Sequence, residues 1–111
     1  KYGDVDFLFE GDAEREAEAA MLVSSVVPVP DVEVLKVGHH GSRTASSGEF
    51  LNITHPEVAI YMAAVGNTYG HPHPETIAAL RSIGATIYGT DVRGTITVTT
   101  DGVGYLVTTA R

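Results

Sequence analysis

The chain has 111 residues, 43% of them hydrophobic, and no cysteine. This length fits at most one domain, and the composition excludes a disordered chain and a disulfide scaffold. The 14 acidic and 7 basic residues give a net charge of −7, which excludes the basic stripe of a stand-alone nucleic-acid-binding domain. No stretch approaches the roughly 20 apolar residues of a transmembrane helix. A strand pattern begins almost at once, so we expect a piece of a longer protein.

The hydrophobic pattern predicts strands that alternate with helices, and then strands alone. In chain order we expect a strand over 5–9, a helix over 13–24, a strand over 32–37, a helix over 47–53, a strand over 58–65 and a helix from 74 or 75 to 83. Short strands over 86–88, 95–100 and 105–109 follow. Asp101-Gly102 predicts a hairpin turn between the last two, which Val103-Gly104 could lengthen. The nearly all-apolar third strand predicts a sheet that is covered on both faces.

Three loops that follow strands contain the side chains that could bind a ligand or take part in catalysis. They are Gly11-Asp12, the loop His39-His40-Gly41-Ser42, and residues 67–73. The carboxyl ends of parallel strands meet at one edge of a sheet, where ligands gather in α/β proteins. Imidazole and carboxylate are the usual ligands of zinc and similar ions. The sequence therefore predicts a metal-binding or ligand-binding edge.

Each candidate also has a structural interpretation. Asp12 is either a metal ligand or the N-cap of the first helix. The adjacent His39 and His40 have no packing rationale, and the flanking glycines permit close approach of a ligand. His71 and His73 alternate with prolines that favour extended backbone, so both imidazoles could face one target or could be exposed in a rigid turn.

Two further residues are given simpler roles. His55 precedes a proline in a connection and is interpreted as structural, away from the candidate edge. Ser42 lacks the Gly-x-Ser-x-Gly surroundings of a nucleophilic serine. Its hydroxyl is better suited to orienting a histidine or contacting a phosphate.

Four ordered segments carry a family resemblance: FEGDAE at 9–14, LKVGHHGSRT at 35–44, NTYGHPHP at 67–74, and TD followed by GTI within 90–96. Together they resemble metallo-β-lactamase-fold hydrolases of the ComEC type. That family comprises competence proteins that carry DNA across the bacterial membrane, together with related soluble hydrolases. The resemblance runs nearly from end to end.

The resemblance implies an α/β fold, the αββα sandwich of metallo-β-lactamases. Residues 1–111 would form its C-terminal half, with a mixed sheet, helices and a closing β-hairpin. It also implies two divalent metal ions, zinc or manganese, in the intact domain. Asp12 would bridge the ions, and one histidine of the next loop would bind the second ion, with His39 favoured over His40.

The remaining candidates are expected to act on the substrate. His71 and His73 fall where the family places side chains that contact substrate or donate a proton. Ser42 and Asn67 are the substrate-binding candidates. The family's His-x-His-x-Asp-His ligand cluster is missing, because no histidine precedes His39. We therefore expect the isolated chain to be metal-poor and inactive.

The parent protein is expected to be a metal-dependent phosphodiesterase or nuclease that acts on DNA in competence-related uptake. The alternatives are a non-catalytic folded subdomain or binding piece, and a soluble hydrolase of another ester or lactone. The expected partners are single- or double-stranded DNA, the missing N-terminal half, or a second copy bound through the sheet face that this half would cover. The parent is expected in the bacterial inner membrane with this domain outside the bilayer, unless it is the soluble hydrolase.

Overall fold

The strands of the described residues form two separate sheets. A computed structural model describes residues 3–11, 15–23, 32–41, 48–66 and 70–111. One sheet is wholly parallel and keeps the order of the chain: β1 (Phe7–Phe9), β2 (Val34–Lys36), β3 (Val58–Tyr61) and β4 (Thr86–Gly89). The other sheet is an antiparallel hairpin of β5 (Ile96–Thr100) and β6 (Tyr105–Thr109).

Helices follow each of the parallel strands. They are α1 (Arg15–Val23), α2 (Gly48–Thr54), α3 (Pro74–Ser82) and α4 (Thr90–Arg93), and a 3-10 helix spans Gly38–Gly41. The α/β class and the closing hairpin are confirmed, whereas the αββα sandwich stays a prediction. The 3-10 helix and α4 were not predicted. None of the helices in the described ranges is long and apolar enough to cross a membrane.

Helix α3 illustrates how local sequence signals set the element boundaries. Pro74 occupies the first turn, where its missing N–H costs no hydrogen bond, and His73 precedes it in extended conformation with φ −71° and ψ 141°. Gly84, with φ +82°, follows the helix in the left-handed region that glycine adopts freely. The predicted start and end of this helix are confirmed to within one residue.

The hydrophobic core lies between the parallel sheet and two of the helices. Leu8, Leu35, Ala59 and Ile87 form one row across the four strands. The row contacts apolar residues of α2 and α3, including Leu51 and Leu80, which are fully buried. Burial of these side chains is the main stabilising contribution to this face.

The hairpin lies against the opposite face of the parallel sheet. Val34 and Val58 on that face are buried, and the hydroxyl of Tyr105 in β6 donates a hydrogen bond to Oε1 of Glu57 over 2.9 Å. A groove of about 290 Å³ remains between β5 and the face formed by β1, β2 and β3. Phe9 and Met62 line it and stay 74% and 50% exposed. This face is therefore only partly covered within the described residues.

Candidate functional site

Three of the predicted histidines lie together at the carboxyl ends of β2 and β3. His40 belongs to the 3-10 helix that follows β2, and His71 and His73 belong to the loop between β3 and α3. The ring centroids of His40 and His71 are 6.2 Å apart with nearly parallel planes, and those of His71 and His73 are 4.8 Å apart, edge to face. We call His40, His71 and His73 the histidine cluster. It occupies the edge at which α/β proteins bind ligands.

The tautomer of His40 follows from its hydrogen bond. Its Nδ1 lies 2.9 Å from the backbone carbonyl oxygen of Met62. Because a carbonyl oxygen can only accept, Nδ1 donates, and the neutral ring then carries its lone pair on Nε2. Histidines that bind metals show the same arrangement, with the second ring nitrogen donating to a carbonyl or carboxylate. The geometry of His40 therefore fits a metal ligand that binds through Nε2.

A backbone contact joins the two segments of the cluster. The N–H of His73 donates to the carbonyl oxygen of Gly41 over 3.0 Å. His40 itself has a φ of +55°, in the left-handed region, and its side chain is exposed. His71 and His73 are half-buried, and their rings lie edge to face. The structure thus brings together three of the candidates that the sequence predicts.

The other candidates lie outside the described residues. These are Asp12, Ser42, Asn67 and the side chain of His39. The expected proximity of Asp12 to His39 therefore stays a prediction. Among the side chains that the structure describes, no group of three or more histidines and carboxylates is arranged to hold a metal ion. A complete metal site would thus need ligands beyond the histidine cluster.

His55 lies far from this edge, as expected. It occupies the connection between α2 and β3, at the amino end of the parallel strands, whereas the histidine cluster lies at their carboxyl end. Its side chain is exposed and its φ is +41°. His55 is therefore a suitable control for substitutions within the cluster.

Sequence reasoning missed a buried carboxyl group beside the candidate loop of Asp12. Glu10 ends the first strand region and is only 8% exposed, and neither of its carboxylate oxygens has a hydrogen-bond partner of acceptable geometry within the described ranges. Burial, and then the adjoining carboxyl of Glu18, raise the pKa of Glu10 to about 9, while Lys36 acts in the opposite direction. The available signal was alternation, because Glu10 lies two residues after the core residue Leu8.

The geometry defines an α/β protein with a histidine cluster at the carboxyl edge of a parallel sheet. Curated relatives make the class more specific. The chain is 36% identical over 94 residues to ComE operon protein 3 of Bacillus subtilis and 35% identical over 94 residues to competence protein ComA of Neisseria gonorrhoeae. It is 31% identical over 96 residues to recombination protein 2 of Haemophilus influenzae.

These alignments cover 85% to 86% of the chain. The chain spans only 12% to 14% of the length of each relative. No family model matches the chain, and no solved structure matches it. The relatives support a competence and DNA-uptake family, so the resemblance is confirmed at that level. The chain is similar to one segment of these longer proteins.

Proposed function

We propose that this chain is part of a metal-dependent phosphodiesterase or nuclease that acts on DNA in competence-related uptake. The similarity to competence proteins supports the biological setting. The observation that carries the chemistry is the hydrogen bond from His40 to the carbonyl of Met62. It fixes the tautomer that a metal-binding imidazole requires, and it does so beside two further imidazoles.

The metal ions of the intact domain would be zinc or manganese. Asp12 would hold both ions, and His39 or His40 would hold one of them. When bound, such ions polarise phosphate oxygens and lower the pKa of water. The donor chemistry of His40 fits this role, and the remaining ligands would come from outside the chain.

The other residues of the site would act on the substrate directly. His71 or His73 would hold a proton and deliver it to the leaving oxygen, because imidazole can hold and release a proton near neutral pH. A proton donor must lie within hydrogen-bond reach of the group that it protonates. The His71 ring lies beside the rings of both His40, a candidate metal ligand, and His73. This proximity to the candidate metal ligand supports a role at the reacting phosphate. Ser42 and Asn67 would contact the phosphate.

The experiment compares metal content and turnover in the intact domain that contains this chain. Bis(p-nitrophenyl) phosphate and end-labelled single- and double-stranded oligonucleotides are the substrates, assayed after chelation and after addition of zinc or manganese. His40→Ala is expected to lower both metal content and turnover, whereas His55→Ala should change neither. If His40→Ala keeps wild-type metal content and wild-type turnover, the proposed role is wrong.

A non-catalytic folded piece is the second candidate function. The sequence favours it, because the His-x-His-x-Asp-His ligand cluster is missing from these 111 residues. An intact domain that is loaded with metal and cleaves neither the model diester nor DNA would support this alternative. Parallel assays with an aryl ester and a lactone distinguish the soluble hydrolase of another substrate.

The partly open face of the parallel sheet is a candidate surface for binding another protein segment. Phe9 and Met62 are exposed beside the groove at β5, and large apolar patches of this kind are usually covered. The partner would be the N-terminal half of the same domain or, in its absence, a second copy. Sedimentation should then show association that Phe9→Glu weakens, whereas Val103→Glu, at an exposed turn residue, leaves it unchanged. The parent would lie in the bacterial inner membrane with this domain outside the bilayer.

A further inference from the structure

Gly41 lies at the point where the two segments of the histidine cluster meet. It is buried and ends the 3-10 helix that contains His40. A side chain at this position would place its Cβ 2.8 Å from Cβ and 3.2 Å from Cα of Pro72. Carbon atoms attract each other best at about 3.5–4.0 Å, so the first of these distances is a clash. Only glycine allows Pro72 to approach so closely.

Gly41 also makes a hydrogen bond to the loop between β3 and α3. Its carbonyl oxygen accepts the hydrogen bond from the N–H of His73 over 3.0 Å. Pro72, which touches Gly41, stands between the two histidines of the loop. Two contacts of one residue therefore fix the loop against the 3-10 helix. Each of the three imidazoles lies within two residues of these contacts.

We propose that Gly41 is a positioning residue that sets the distance between His40 and the His71–His73 pair. A side chain at residue 41 would move Pro72 away from the 3-10 helix and separate His40 from His71. The contact between His71 and His73 lies within one loop and would persist. The geometric inference stands by itself, and only its consequence for catalysis rests on the proposed function.

A second glycine provides a matched control for backbone strain. Gly41 has a φ of +81°, which disfavours alanine whatever space surrounds it. Gly84, after α3, has a φ of +82°, and a Cβ built there meets nothing within 4 Å. Gly84→Ala therefore measures the cost of the backbone conformation alone. The difference between Gly41→Ala and Gly84→Ala isolates the contact with Pro72.

The test is NMR spectroscopy of the chain with isotope-labelled histidine. In the wild type and in Gly84→Ala we expect nuclear Overhauser contacts between the ring protons of His40 and His71, and of His71 and His73. In Gly41→Ala the His40–His71 contact should disappear, while the His71–His73 contact remains. A Gly41→Ala chain that keeps both contacts would overturn the proposal.

A measurement on the wild type decides the matter if Gly41→Ala does not fold. The Hα protons of Gly41 should show Overhauser contacts with the ring of Pro72, and the amide of His73 should exchange slowly. Absence of both overturns the proposal.

Turnover in the intact domain separates this inference from the proposed function. Gly41→Ala should lower phosphodiester hydrolysis at least tenfold relative to Gly84→Ala. If the rings separate but turnover is unchanged, the positioning inference stands and the proposed function fails.

Discussion

The hydroxyl of Tyr61 donates a hydrogen bond to Oδ1 of Asp91 over 2.7 Å, and this contact ties β3 to α4. The ring of Tyr61 lies directly over Gly89, where any side chain would collide with it. The neighbouring residue Thr90 makes two hydrogen bonds with Ala63. The Thr90 hydroxyl accepts one from the N–H of Ala63 and donates one to the carbonyl oxygen of Ala63, each over 3.0 Å. These contacts hold α4 at the same carboxyl edge that carries the histidine cluster.

Removal of the Tyr61 hydroxyl should destabilise the chain modestly. Tyr61→Phe keeps the ring over Gly89 but deletes the hydrogen bond to Asp91, a loss of about 0.5–1.5 kcal/mol in the free energy of unfolding. Urea denaturation at pH 7 measures this difference. Tyr88→Phe, at a half-buried tyrosine on the neighbouring strand, is the control for loss of a hydroxyl alone.

The same substitution predicts a change at alkaline pH. Burial, and then the hydrogen bond to Asp91, raise the pKa of Tyr61 to about 12 from the ordinary 10.0. The folded state therefore keeps a proton that the unfolded state loses, so this stabilisation is complete below pH 10 and disappears as the pH rises through 12. The unfolding free energies of wild type and Tyr61→Phe should converge over this interval. A constant difference between them would contradict the assigned interaction.

Replacement of the buried carboxyl of Glu10 should stabilise the chain at neutral and mildly alkaline pH. Burial and Glu18 raise the pKa of Glu10 from 4.5 to about 9, so its contribution to stability is complete below pH 4.5 and is lost as the pH rises through 9. Glu10→Gln stays neutral throughout. The free energy of unfolding of Glu10→Gln should exceed that of the wild type by about 1–3 kcal/mol near pH 9 and should equal it near pH 4. Chemical denaturation across this pH range measures the effect.

An exposed glutamate on α1 supplies the control for that prediction. Glu16 lies on the solvent side of the helix, so Glu16→Gln should change the stability by less than about 0.5 kcal/mol at any of these pH values. If Glu10→Gln behaves like Glu16→Gln, the carboxyl of Glu10 is not buried in its neutral form.

Local signals were sufficient for most of the described fold and for the edge of the sheet at which His40, His71 and His73 lie. Apolar runs predicted the parallel strands, Pro74 and Gly84 predicted the bounds of α3, and the ends of the strands predicted the histidine edge. The hairpin register pairs Thr100 with Tyr105, so the turn is longer than Asp101-Gly102 alone. Val103 and Gly104 complete it, and their N–H groups donate to Oδ1 of Asp101 over 2.9 Å.

The features that were missed depend on contacts distant in sequence. Helix α4 has only four residues, too few to be stable by propensity, and it forms because Tyr61 and Thr90 fasten it to β3. The tautomer of His40 is set by a carbonyl 22 residues further along the chain. No pattern within either segment contains this information.

Metal titration should give weak binding to the isolated chain. The resemblance supplies two or three ligands at most, and water would complete the coordination of any ion. Calorimetric titration with zinc or manganese is therefore expected to give weak heats and at most one ion at the histidines. His40→Ala should abolish that single event, with His55→Ala as the control. Tight binding of two ions per chain would contradict this expectation.

The strongest test of the site concerns the two histidines of the loop after β3. In the intact domain, His71→Ala and His73→Ala should each lower phosphodiester hydrolysis by roughly ten- to a thousandfold, the usual contribution of a positioned proton donor. Metal content should stay at the wild-type level, because neither residue is assigned to the metal, and His55→Ala should keep full turnover. If the two residues serve one proton transfer, the double variant should lose little more than the worse single variant. Near wild-type turnover in both single variants would instead make this loop a rigid turn before α3.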